Sequence, residues 1–86
     1  MKIEFKTIPV FFRKEYLGLK NNTVRVQDDP EDIRFEILNN FISGKINLLN
    51  IVIINPETQE QFTRIIRDVV DYKGTYIITW FQGGNF

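Results

Sequence analysis

The chain has 86 residues, 43% hydrophobic and 14% aromatic with eight Phe, which is enough apolar material for one small core. It contains no Cys and no His, which excludes disulfides, thiolate metal sites, a Cys nucleophile and the usual general base near neutral pH, so any chemistry falls to Lys, Asp, Glu, Thr, Ser, Tyr or the backbone. Net charge is zero but unevenly spread: Lys2, Lys6, Arg13, Lys14, Lys20 and Arg25 outweigh Glu4 and Glu15 before residue 28, and Asp28, Asp29, Glu31, Asp32 and Glu36 outweigh Arg34 just after it, a pattern that argues against nonspecific duplex binding and permits a local basic pocket.

Residues 2–6 alternate, so Ile3 and Phe5 are expected on the core face of a first strand. Thr7 offers a helix cap, and Pro9 suits a first turn. A helix is predicted over about 8–17, with Ile8, Phe12 and Tyr16 on its buried stripe. Gly18 stands where a helix C-cap glycine belongs, and Lys20-Asn21-Asn22 is turn chemistry. From Thr23 to Gln27 the chain alternates again. Val24 and Val26 are expected toward the core, with Thr23, Arg25 and Gln27 on the opposite face. That arrangement sets a hydroxyl and a guanidinium on one face, beside the ammonium of Lys20 in the adjoining turn.

Asp28-Asp29-Pro30-Glu31-Asp32 reads as the start of a second helix, with an Asp cap, Pro30 in the first turn and acids at the positive end of the dipole. A metal-binding reading of this cluster is the weaker one, because the acids already have that capping role. The helix is predicted to run to about Ile42, with Ile33, Ile37, Leu38, Phe41 and Ile42 as its apolar face, Phe35 at the flank, and Ser43-Gly44 ending it. Residues 46–54 are the strongest strand signal, almost continuously apolar in their second half, as in a strand covered on both faces. After a turn at Asn55–Thr58, residues 60–70 carry Phe62, Ile65, Ile66, Val69 and Val70 in slipping phase. This reads as a bulged or curved strand, with a short helix as the alternative. Asp71–Gly74 turns the chain into a last strand, Thr75–Phe81, and residues 82–86 form a loose tail.

The elements predict a single α+β domain over residues 1–81, built as a small curved sheet or partial β-barrel of about five strands with two helices. No apolar run approaches ~18 residues and no signal-peptide core is present, so the expected setting is the cytoplasm, with no membrane partner. No cofactor and no metal are expected.

The spacing Gly18-x-Lys20-x-x-Thr23-x-Arg25, just after a helix, resembles the hallmark box of the ASCH family, within the PUA-like superfamily of small barrels. The segment from Pro9 to Leu19, the Arg34-Phe35-x-x-Leu38 run, the Asn55-Pro56-Glu57-Thr58 turn and the final Tyr76-Ile-Ile-Thr-Trp80 are similar to small ASCH-like proteins of phages and prophages. The likeness spans about residues 3–81. It implies a pocket for a nucleotide, a modified nucleoside or single-stranded RNA. One branch of the family hydrolyses N4-acetylcytidine with a Lys, a Thr and a Glu. Lys20 and Thr23 match the first two by motif position. The Glu has no position-matched counterpart. Glu60 is the candidate for that role, with Glu57 and Asp68 as alternatives.

The residue chemistry fits binding most directly. Lys20 and Arg25 would meet a phosphate or carboxylate, Arg25 bidentately, and Thr23 would add one hydrogen bond. Tyr76 and Trp80 share a face of the last strand, where they either stack a base or pack the core. Arg25 has a structural alternative, a salt bridge to Asp68 or Glu36. A hydrolase would use Thr23 as hydroxyl and a Lys20 of lowered pKa as base. The third class is a phage-type protein that works by binding a host protein, with Phe11, Tyr72 and Phe86 as exposed aromatics.

Overall fold

The computed structural model describes residues 1–82, so most of the predicted tail lies outside the described residues. Seven elements follow in the order β1 (Lys2–Lys6), α1 (Pro9–Tyr16), β2 (Asn22–Val26), α2 (Ile33–Ile42), β3 (Asn50–Ile54), β4 (Gln61–Tyr72) and β5 (Thr75–Trp80). The strands form one open mixed sheet in the order β1-β3-β4-β5-β2. β1 pairs parallel with β3, and the other pairs are antiparallel. The fold is therefore α+β with five strands and two helices. Its two edge strands, β1 and β2, are those that flank α1 in the chain.

Local sequence explains most of these elements. Ile3 and Phe5 of β1 are buried, as their alternation predicts. Ile51, Val52 and Ile53 of β3 are all buried, the signature of a strand covered on both faces. β4 is one long strand whose register shifts between Ile66 and Asp68, which accounts for the slipping apolar phase. The hairpin to β5 turns on Lys73 and Gly74, both at positive φ. Both helices pack on the face that carries Phe5, Ile53, Phe62 and Tyr76. Phe12 of α1 meets Phe62 at 5.3 Å between ring centroids, and Phe35 of α2 meets Tyr76 at 5.0 Å. Among the described residues no helix is long and apolar enough to cross a membrane.

Four local expectations are corrected. Thr7 does not cap α1, whose N-cap is Ile8 without a side-chain cap bond; the Thr7 hydroxyl accepts from Arg25 instead. On α1, Phe12 is buried but Ile8 and Tyr16 are exposed. α2 starts at Ile33 rather than at the acidic run, because Asp29 Oδ1 accepts from Glu31 N in a separate turn and Asp32 takes the cap, accepting from Arg34 N at 3.1 Å. Phe35 sits at the centre of the α2 contact with Leu38, while Ile33 and Ile42 are exposed.

The largest correction concerns β2. Val24 and Val26 face outward, 56% and 63% exposed, and Thr23 faces inward, 4% exposed, with Arg25 half-buried beside it. Alternation defines which residues share a face, but not which face is inside. The inner face of β2 is polar, because Thr23 and Arg25 lie opposite Ile78 and Tyr76 of β5 and Arg25 bonds there to Thr23, Lys6 and Thr7.

Candidate functional site

The site begins at the end of α1. Gly18 takes φ +80, its N–H bonds to Glu15 O, and Leu19 N bonds to Lys14 O at 2.9 Å, so the helix ends in a left-handed glycine as expected. A side chain at Gly18 would strain this backbone, and its Cβ would lie 3.1 Å from Gln82 Nε2. The turn delivers Lys20 back against the helix that precedes it. Lys20 Nζ donates to Glu15 Oε2 at 2.6 Å and to the carbonyl of Asn22, and it lies 5.3 Å from the centroid of the Phe11 ring.

Glu15 is 1% exposed, and its second oxygen, Oε1, is buried without a hydrogen-bond partner among the described residues. Burial pushes the Glu15 carboxyl up from its ordinary value, against the hydrogen bond and charge of Lys20 and the charge of Arg25. Asn21 Oδ1 and Trp80 Nε1 are likewise buried and unpartnered, and Trp80 N donates to Asn21 O at 3.0 Å. The turn around Lys20 thus encloses unusual polar capacity for so small a core.

Arg25 spans the gap between the edges of the sheet. Its Nε donates to Thr23 Oγ1 (3.0 Å), Nη1 to Lys6 O (2.9 Å) and Nη2 to Thr7 Oγ1 (2.7 Å). One side chain of β2 therefore ties β2 to the end of β1, two strands that share no ladder. Its guanidinium also lies 4.8 Å from the Phe5 ring centroid, and that of Arg34 lies 4.3 Å from the same ring. Arg34 is neutralised by Asp32, which accepts from its Nε and Nη2. Arg25 has no carboxylate within ion-pair distance among the described residues. Burial lowers its pKa, Glu15 opposes that, and Arg34 adds to it. The expected alternatives of a salt bridge to Asp68 or Glu36 are not formed; both acids are exposed, and Asp68 lies on the outer face opposite Thr79.

Two cavities flank Arg25. The smaller, about 430 Å³, is lined by Lys6, Thr7, Ile8, Phe11, Lys20, Thr23, Val24 and Arg25. The larger, about 670 Å³, is lined by residues that include Glu4, Phe5, Val26, Asp28, Asp32 and Arg34. Lys6, Val24 and Arg25 line both, so the two form one trench along the gap between β1 and β2. Lys20, Thr23 and Arg25 thus border one concave space.

The other predicted site residues lie elsewhere. Tyr76 and Trp80 are 2% and 1% exposed, inside the core, and neither offers a ring face to a ligand. Tyr76 Oη donates to Asn39 Oδ1 at 2.8 Å. Tyr76→Phe is accordingly expected to cost about 1 kcal/mol of stability in urea denaturation, the value of one hydrogen bond. Glu60 is exposed on the loop before β4, and its carboxylate makes no hydrogen bond or ion pair with Lys20 or Thr23 among the described residues. The carboxylate that does meet Lys20 is Glu15. Its signal in the sequence was its position three residues after Phe12, on the buried stripe of α1 just before the glycine turn. Thr7 gives no separate signal, because a Thr just before Pro9 reads as a helix cap. Among the described residues there is no group of three or more acids that could hold a metal ion.

The chain matches no family model, no curated protein and no solved structure.

Proposed function

We propose that the chain is an ASCH-like domain of the PUA-like kind that binds a nucleotide, a modified nucleoside or single-stranded RNA in the pocket built on Gly18, Lys20, Thr23 and Arg25. A cytoplasmic setting goes with that reading. The observation that carries it is Arg25, a half-buried cation held, among the described residues, by the neutral oxygens of Thr23, Lys6 and Thr7, at the wall shared by the two cavities. A guanidinium has five N–H groups, and among the described residues three are used, which leaves two to meet an anion. Lys20 lines the smaller cavity and donates two bonds among the described residues, of the three an ammonium can give.

Titration of the full chain with labelled single-stranded RNA and a panel of nucleosides and nucleotides tests this. Saturable binding that Lys20→Ala and Arg25→Ala both weaken is the expected result. Absence of any ligand at high micromolar concentration sinks the proposal.

The Glu15–Lys20 contact favours one second reading, an N4-acetylcytidine amidohydrolase in which Thr23 and Lys20 act with Glu15 in the carboxylate role proposed for Glu60. Incubation with N4-acetylcytidine would then release cytidine. Turnover that persists in Thr23→Ala and Lys20→Ala rules this mechanism out.

A further inference from the structure

We infer that Phe11 is the surface on which the ligand's planar ring stacks, and that the ligand is a nucleotide unit lying across Arg25, with its ring toward Phe11 and its phosphate toward Lys6 and the Arg34 side of the trench. This rests on the nucleotide reading of the site.

Phe11 and Phe12 are adjacent on α1 and do opposite things. Phe12 enters the core cluster and packs on Phe62. Phe11 does not belong to that cluster, remains 43% exposed, and lines the smaller cavity beside the hydroxyls of Thr7 and Thr23. Core packing therefore does not explain its ring. Lys20 lies over that ring and still leaves much of it open. An aromatic face next to cationic and hydroxyl groups suits a nucleobase, because every base presents a π-face and stacking needs no particular sequence. With Tyr76 and Trp80 buried, Phe11 is the aromatic that the cavity offers.

Beyond Arg25 the trench widens into the larger cavity, which Lys6 and Arg25 also line and where Arg34 is already paired with Asp32. Glu4, Asp28 and Asp32 line the same cavity, with Asp32 committed to Arg34. These acids limit how much negative charge the trench tolerates. A single phosphate against Arg25 and Lys6 fits that balance, and a polyphosphate does not. Both a free nucleoside monophosphate and one nucleotide of an RNA strand present this chemistry.

The test is calorimetric titration of the full chain with the four nucleoside 5′-monophosphates, the matching nucleosides, inorganic phosphate and a short oligoribonucleotide. It uses wild type, Phe11→Ala, Phe11→Tyr, Lys6→Ala and Lys20→Ala, with thermal melts to confirm folding. Monophosphates should bind about tenfold tighter than nucleosides. Phe11→Ala should weaken monophosphates by about tenfold or more and leave inorganic phosphate unchanged, and Phe11→Tyr should restore the affinity. Lys6→Ala should narrow the gap between monophosphate and nucleoside. Oligoribonucleotide binding that is lost in Phe11→Ala while free monophosphates bind weakly would place the unit within RNA. Ligand binding that Lys20→Ala weakens and Phe11→Ala leaves intact overturns the stacking role while sparing the site. Nucleosides that bind as tightly as monophosphates overturn the phosphate placement. No binding of any probe removes the nucleotide reading and this inference with it.

Discussion

Lys20→Ala is expected to destabilise the protein by about 3–5 kcal/mol at neutral pH, the scale for breaking a buried ion pair from one side. For a chain of this length total stability is roughly 4–13 kcal/mol, so the loss is a large share of it. The cause is Glu15, which is almost fully buried and loses the Lys20 ammonium now 2.6 Å away, so near neutral pH the fold must either hold an uncompensated carboxylate or take up a proton at a pH well above the ordinary carboxylate value. The effect carries a pH signature. Burial raises the folded-state pKa of Glu15 above its unfolded value. The folded chain then holds that proton more tightly than the unfolded chain, and stability falls as pH rises from the ordinary carboxylate value through the folded one. Removing Lys20 takes away both the hydrogen bond and the charge that oppose this shift, so the fall extends to higher pH. Urea denaturation near about pH 8 and about pH 5 should show the gap between variant and wild type closing on the acid side. The double variant Glu15→Leu/Lys20→Met should recover most of the loss, since an apolar pair of similar volume replaces the ions. A loss that does not change with pH, or no loss at all, would show that Glu15 is not an uncompensated charge in the variant.

Arg25→Ala is expected to lower affinity for a nucleotide by about 10–100-fold, the scale of one or two charge-assisted hydrogen bonds. It should also lower stability by about 2–3 kcal/mol, because three hydrogen bonds across the gap between β2 and β1 go with it and the buried Thr23 hydroxyl loses its partner. Arg25→Lys separates the two roles. An ammonium keeps the charge but lacks the planar fork that reaches Thr23, Lys6 O and Thr7 together. It should restore part of the affinity and little of the stability. An Arg25→Ala variant with wild-type melting and wild-type affinity would remove both the bridging role and the ligand role.

Much of the fold was legible locally. The order of elements, the glycine that ends α1, the doubly covered β3 and the bulge in β4 all follow from periodicity and turn chemistry. The trio Lys20, Thr23 and Arg25 was legible as a set, because alternation and turn spacing place its members side by side. Three parts were not legible. Tyr76 and Trp80 share a face in any strand, but whether that face meets core or cleft depends on what packs on it, and here α2 supplies Phe35. The acidic run before α2 reads as helix because acids suit both a helix start and an aspartate turn. Glu15 is not legible as a buried group because a charged residue on a helix is ordinarily exposed, and its partner Lys20 lies beyond the helix end.

By itself the sequence determined which residues can share a face or a turn, since backbone pleat and helix period relate neighbours a few positions apart. It also determined that a cation, a hydroxyl and a guanidinium gather after Gly18. Only the tertiary structure decided that β2 turns its polar face inward and its valines out. Only it decided that Arg25 closes on Lys6 and Thr7, which stand 19 and 18 residues away in the chain. The reason is physical. A strand's alternation is symmetric about its plane, and the choice of inner face is made by the register with β5, which sets Thr23 and Arg25 opposite the buried Ile78 and Tyr76, and by the Arg25 bonds to the end of β1.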